Sequence, residues 1–285
     1  MPFKSTTWNT FISPFSNSFT NTFFGLGATL DADAAAYIAA IESTGESVTD
    51  TQKASIDHFY VSAKSDGYYS SLKRVYLPIW GAAAPNAIDM ISRASGTFNG
   101  GVTHSDGVVQ GDGSSGYFAF GVSPASESLT LESSCLFHLT YSIGSVTGFR
   151  RPIGCENSAS QILNLAQSGS LQVFDAYSTS GGRVTASLGN ATGIVLGSRE
   201  GGSRSIYRRN SSGFSTLVST SGADSGFIPT TIMSAMAHTT SSTVANYSND
   251  EYGAYGMALG LDSTDSQDFT LALKNLWEGC TGLSL

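Results

Sequence analysis

The stretch TFNGGVTHSDGVVQGDGSSGYFAFG, residues 97–121, decides between two architectures. Gly111, Gly113 and Gly116 satisfy G-x-G-x-x-G, and Val108 and Val109 ahead of them read as a strand. A dinucleotide fingerprint must next open a helix, because the helix N-terminus holds the pyrophosphate. The next residues are instead Tyr117-Phe-Ala-Phe-Gly-Val122, which read as another strand. Asp106-Gly107 and Asp112-Gly113 are favoured hairpin-turn dipeptides. The glycines turn a sheet, and no nucleotide cofactor is expected.

Downstream the side-chain period stays at two. In CLFHLTYSI, residues 135–143, Cys135, Phe137, Leu139, Tyr141 and Ile143 alternate with His138, Thr140 and Ser142. That pattern predicts a half-buried strand with His138 on its polar face. Tyr255, Met257, Leu259 and Leu261 alternate with small residues in the same way. Between them, residues 162–166, 171–177, 194–197, 205–208, 217–220 and 232–237 are short candidates bounded by Gly, Ser, Asn or Asp. Many short strands so punctuated mean a sandwich or jelly roll.

Before about residue 86 the period is helical. Tyr37, Ile38 and Ile41 come after Asp31 and Asp33, which suit a helix start. A capping box at Thr49–Gln52 precedes Ile56, Phe59, Tyr60 and Ala63. Tyr69, Leu72, Val75 and Tyr76 lie between Gly67 and Pro78 and predict a third helix. At the other end, Asp262, Asp265 and Asp268 precede Phe269, Ala272, Leu273, Leu276 and Trp277, an amphipathic helix packed on the sandwich. The expected organisation is an arm over 1–30, a helical segment over 31–81, and a β-sandwich with C-terminal helix over 82–285.

Of 285 residues 13% are charged and 40% apolar, which suits a turn-rich β protein better than a disordered chain. A formal net charge of -8 argues against nucleic acid and against docking on an anionic membrane. No stretch approaches the ~20 apolar residues of a membrane helix. Cys135, Cys155 and Cys280 are odd in number and lack C-x-x-C spacing, so free thiols in a reducing cytoplasm are expected. No secretory leader is evident. The arm STTWNTFISPFSNSFTNTFF, residues 5–24, has no charge after Lys4; Trp8, Phe11, Phe15, Phe19, Phe23 and Phe24 are costly to leave in water and predict a partner-bound segment.

Catalytic patterns are absent from the linear sequence. Jelly-roll glycosidases with both carboxylates on one strand need an even spacing. Glu127 and Glu132 are five apart, and Asp250 and Glu251 are adjacent, although carboxylates from different strands can still meet. Gly197-Ser-Arg-Glu-Gly201 centres on Arg199, not on a nucleophilic serine. His58, His104, His138 and His238 are scattered. Asp106 and Asp112 are the residues a Ca²⁺ ion would need, but no dense D-x-D-x-D run exists, so no metal is expected. The chain is therefore expected not to be an enzyme. Arg199, Arg204, Arg208 and Arg209 form the basic cluster, with Arg204 and Arg208 on one strand face. They read either as a grip on an acidic sugar or partner, or as a charged edge strand. Tyr247, Tyr252, Trp80 and Tyr117 are the aromatics able to stack on sugars.

The runs FNGGVTHSDGVVQGDGSSGYFAFGVSPAS (98–126), GIVLGSREGGSRSIYRRNSSG (193–213) and YSNDEYGAYGMALGLDSTDSQDFTLALKNLW (247–277) resemble a family of concanavalin-like, LamG-like jelly-roll proteins of tailed bacteriophages and environmental viruses. The helical lead-in at 31–43 and 51–81 fits as well. The resemblance implies a virion structural protein: a tail-fibre, baseplate or capsid-decoration appendage with a possible glycan-binding face. Its implied partners are other virion proteins, further copies of itself as a trimer, and host-surface glycan. The family supplies no catalytic residues to transfer.

Overall fold

Caps set where the helices begin. The structure, a computed structural model, describes residues 29–145, 148–188, 192–222 and 226–285. Helix α1 (Ala32–Glu42) starts at Asp31, whose carboxylate accepts the Asp33 and Ala34 N–H groups, and α2 (Asp50–Ser65) starts with the complete Thr49–Gln52 capping box. A short α3 (Ala83–Asn86) comes next. Helix α4 (Ser263–Thr281) begins at Asp262 and stops at Gly282, which takes the left-handed φ of 71°. The arm residues Trp8, Phe11, Phe15, Phe19 and Phe23 lie outside the described residues.

The strands are β1 (Leu72–Tyr76), β2 (Thr97–Asn99), β3 (Val102–Ser105), β4 (Val108–Gly111), β5 (Tyr117–Ala119), β6 (Ser133–Ser142), β7 (Phe149–Ser158), β8 (Gln161–Ser168), β9 (Leu171–Ala176), β10 (Arg183–Ser187), β11 (Gly193–Glu200), β12 (Ser203–Asn210), β13 (Gly213–Ser221), β14 (Ser234–Ala235), β15 (His238–Thr239), β16 (Val244–Ala245) and β17 (Glu251–Ala258). Among the described residues sheet I runs β13-β12-β11-β6-β17-β4-β3, with β1 also on β17. Sheet II runs β10-β9-β8-β7-β14-β5-β2, with β15 on β7 and β16 on β15. Pairing is antiparallel except for the β15–β7 bridge. Tyr76, Phe118, Leu136, Ile153, Leu165, Phe174, Val195, Ile206, Tyr255 and Met257 are buried between the sheets. This is the expected β-sandwich with an N-terminal helical part and a C-terminal helix.

The glycine-rich stretch turns as its composition predicts. It leaves sheet I at β4 and enters sheet II at β5. Asp112 accepts the N–H groups of Ser114, Ser115 and Gly116, and Gly113 takes a φ of 76°. No helix opens there.

Two expectations are corrected. The third expected helix is a 3-10 turn, Tyr69–Ser71, leading into β1, which pairs with β17. Leu72, Val75 and Tyr76 are all buried, so a strand covered on both sides mimicked the helical spacing. Likewise β6 is covered on both faces. Phe137 meets Phe269 of α4 at 4.7 Å between ring centroids, and Tyr141 meets Trp277 at 5.3 Å. His138 therefore faces the sandwich interior, not solvent. It is 1% exposed, with Nδ1 2.9 Å from the Thr140 hydroxyl. Burial, reinforced by the Arg150 charge, pushes its pKa down to about 3.

Candidate functional site

The helices pack on sheet I, and the outer face of sheet II is built differently. On β8 Leu163 and Leu165 belong to the core, so Asn164 between them points outward. The same alternation turns out Asp175 of β9, beside Phe174 and Ala176, and Gly154 of β7, between Ile153 and Cys155. Strand register then aligns Arg183, Asp175, Asn164, Gly154 and Ser234 in one row across five strands. Glu156 lies one pleat further along β7.

A β-bulge brings in an arginine. Arg150 pairs with Gln167 and Ile153 with Leu165, so Arg151 and Pro152 together oppose Ala166 alone. Arg151 Nη1 sits 3.2 Å from Glu156 Oε2, and its guanidinium lies 5.0 Å from the Phe149 ring centroid. His238, from β15, places Nε2 2.9 Å from the same Glu156 oxygen. Arg183 forks onto Asp175 through Nε–Oδ1 at 2.6 Å and Nη2–Oδ2 at 2.9 Å. Asn164 Nδ2 donates to Asp175 Oδ2 at 3.1 Å.

Arg151 Nε, Asn164 Oδ1 and both ring nitrogens of His238 are buried without a well-formed hydrogen bond, Nε2 meeting Glu156 as a close polar contact. Asp175 accepts only, so the Asn164 amide nitrogen faces it and Oδ1 faces away. With the His238 proton on Nε2 toward Glu156, Nδ1 is also an acceptor. Both acceptors converge over Gly154: a Cβ there would lie 2.8 Å from Asn164 Oδ1 and 2.9 Å from His238 Nδ1. Two acceptors cannot satisfy each other. A hydroxyl or N–H donor between them can.

The floor is sealed, with Asn164, Asp175 and His238 at 0% exposure, while the side chains of Glu156 and Arg183 are 26% and 35% exposed. His238 and then Arg151 hold Glu156 down at about 2, so it is a carboxylate and an acceptor at neutral pH. His238 feels two opposed influences. Burial lowers its pKa, Glu156 raises it, and burial wins. Neutral imidazole and amide acceptors thus lie just beneath a partly exposed rim of guanidinium and carboxylate. Such a set suits a polyhydroxylated ligand better than an apolar one.

The sequence candidates fall elsewhere, with one exception. Arg199 is 1% exposed and Arg204 6%, on the inward faces of β11 and β12, and they are cross-strand neighbours. Arg204 Nη1 donates to the Gly181 carbonyl, and Arg208 donates to the Thr192 carbonyl at 2.8 Å through Nη2. Arg209 points the other way, to Thr270 of α4 at 3.0 Å. The four are thus spread along both ends and both faces of the β11–β12 pair, each tied to the protein, and do not form a surface patch. Tyr252 is fully buried, its hydroxyl 2.8 Å from that of Ser248 and 3.2 Å from Asp250, which removes it from the sugar-stacking candidates. Trp80 is buried too. Tyr247 and Tyr117 remain half-exposed, with ring centroids 6.4 Å apart, and Tyr117 alternates with core Phe118 and so faces outward from sheet II. Asp106 and Asp112 are not part of any cluster of metal-binding residues among the described residues.

No family model and no curated protein matches the chain. Solved structures do. A Trypanosoma rangeli sialidase, in complex with a 2,3-difluoro-KDN ligand, matches at 9% identity and TM-score 0.53, covering 79% of this chain and 40% of that one. A mutant of that sialidase displaying trans-sialidase activity matches at 8% identity and TM-score 0.50, covering 78% and 39%. A botulinum neurotoxin type C structure, described by the dependence of cell entry on two ganglioside molecules, matches at 11% identity and TM-score 0.52, covering 73% and 53%. The chain thus spans only about two fifths of the sialidases' length. At these identities the likeness shows the fold. It also corrects the expectation of a non-enzyme, because chains that are sialidases contain this sandwich. That expectation rested on missing linear motifs, and a sandwich assembles its side chains across strands, as the row on sheet II does.

Proposed function

We propose that the protein is a glycan-recognition sandwich carried on a virus particle, with the outer face of sheet II as its sugar-binding surface. One observation carries the reading: two buried acceptors, Asn164 Oδ1 and His238 Nδ1, converge over Gly154 beside the bulge-directed Arg151. A sugar hydroxyl supplies the donor they lack, while on the rim Arg151 donates to a neighbouring sugar oxygen and Glu156 accepts from a neighbouring hydroxyl. Two kinds of neighbour support the reading, since sialidases and a ganglioside-dependent toxin share the sandwich. The virion setting rests on the resemblance of residues 31–280 to phage appendage proteins. The aromatic arm over residues 1–30, uncharged after Lys4, would join the sandwich to other virion proteins.

The test is a glycan array probed with the full chain, and then calorimetric titration of the best hit. The wild type is expected to bind in the millimolar-to-micromolar range, and Arg151→Ala about tenfold more weakly, the loss of one charge-assisted hydrogen bond. Absence of any glycan hit, or an Arg151→Ala variant binding as tightly as wild type, overturns the assignment.

A further inference from the structure

We infer that sheet I carries a second, chemically different ligand site beside the start of α4, which takes a single hexose ring that is neutral or bears an amine. A cavity of about 210 Å³ lies there, lined by Ser205 and Tyr207 of β12, Ser219 of β13, Glu200, Ser203 and Asp262. It is smaller than the ~300 Å³ at which pockets begin to hold drug-sized molecules, so it fits one sugar ring and not an extended chain.

Its lining arises from strand alternation. Ile206 points into the core, so Ser205 and Tyr207 on either side of it point outward. Ser205 donates across the sheet to the Ser219 hydroxyl at 2.9 Å, making a polar shelf. Tyr207 forms an aromatic wall, its ring stacked on Phe214 with centroids 5.6 Å apart and planes 18° from parallel. Tyr207 is only 5% exposed and its phenol makes no hydrogen bond to any described residue. The phenol oxygen is nevertheless not sealed in, and the open space Tyr207 lines is the cavity, so the hydroxyl is free to serve a ligand there. An aromatic ring, hydroxyls and carboxylates are what a hexose engages with its apolar face and its hydroxyl groups.

Charge narrows the ligand. Glu200 and Asp262 stand on the rim and form no ion pair with the described residues. Nearby Asp265 is pushed above the usual carboxylate range by burial, then by Asp262, Asp268 and Glu200. A carboxylated sugar is repelled by this field, whereas a neutral hexose is tolerated and an amine attracted. On sheet II, by contrast, Arg151 and Arg183 are each balanced by a carboxylate, Glu156 and Asp175. The inference stands without the reading of sheet II.

The test is a nuclear magnetic resonance titration of the isotopically labelled full chain with glucose, glucosamine and glucuronate separately. Glucose and glucosamine are expected to shift the amides of Ser205, Tyr207 and Ser219 and to saturate at roughly millimolar concentration, glucosamine the tighter. Glucuronate is expected to leave them unmoved. Tyr207→Phe, which removes only the phenol oxygen, should weaken glucose binding roughly fivefold. Ser203→Met, at the exposed start of β12, should weaken it by filling the mouth. Arg151→Ala should change nothing at these amides, which separates failure here from failure on sheet II. The inference is overturned if neither sugar shifts these amides at about 50 mM, far above a millimolar Kd. Equal binding of glucuronate, or wild-type affinity in Tyr207→Phe, overturns it too.

Discussion

Acidification should weaken the fold through one buried histidine. His138 is enclosed between the sheets, with Thr140 at Nδ1, the Tyr252 ring at 5.9 Å between centroids, and the Arg150 charge opposing protonation. Its folded pKa of about 3 lies well below the unfolded value near 6.5. Between those values the unfolded chain holds a proton that the native state refuses, so stability rises with pH across the window and falls as pH drops. Going from pH 7 to pH 5 moves the unfolded group from mostly neutral to mostly protonated while the native group stays neutral, which removes about 2 kcal/mol. His238, also depressed by burial, adds loss of the same sign. The isolating measurement is therefore a difference. Urea unfolding of wild type and His138→Gln at both pH values should show the variant losing about 2 kcal/mol less on acidification. Equal losses in the two proteins would refute the burial argument.

Two further perturbations bear on named contacts. Gly154→Ala places a methyl 2.8 Å from Asn164 Oδ1 and 2.9 Å from His238 Nδ1, so it should lower stability by about 1–3 kcal/mol and abolish glycan binding, read by thermal denaturation and titration together. Arg74 spans Asp89 at 3.2 Å and Glu127 at 2.7 Å with little exposure, and Arg74→Met should destabilise by about 3 kcal/mol in urea while leaving glycan binding unchanged.

The parts legible in the sequence are those specified locally. Asp31, the Thr49–Gln52 box and Asp262 act within one turn, and α1, α2 and α4 start where they stand. Asp112 and Gly113 likewise make their turn from their own backbone. Alternation locates β6 and β17 but not which face meets water, because α4 covers the odd positions of β6 and sheet II the even ones. Alternation alone therefore puts His138 on a polar surface, where it is not. The sheet II row is harder still to read, since Gly154, Asn164, Asp175, Arg183 and His238 come from five separate strands and meet only through register. One signal is present. Asn164 in ILNLA and Asp175 in VFDAY are single polar residues inside apolar runs, and such interruptions in a buried strand call for partners.

Burial of charge does not by itself mark a ligand site, and comparison within the molecule shows what does. Arg74 and Arg151 each sit in a buried ion-pair network, and each leaves its Nε without a partner. An orphan arginine nitrogen therefore does not discriminate. The carboxylate in the first network does: Asp89 receives the N–H groups of Val75 on β1 and of Ile91 and Ser92 in its own loop, so its oxygens are occupied by backbone and the cluster is a clamp. On sheet II two acceptors from different strands are aimed at each other across a residue with no side chain. Hydrophobic residues at these positions would fold as well or better, because replacing buried ion pairs by packed apolar groups is often neutral or stabilising. A donor from outside the chain would satisfy both acceptors, and under the proposed function that donor is a sugar hydroxyl, small and bearing both donor and acceptor.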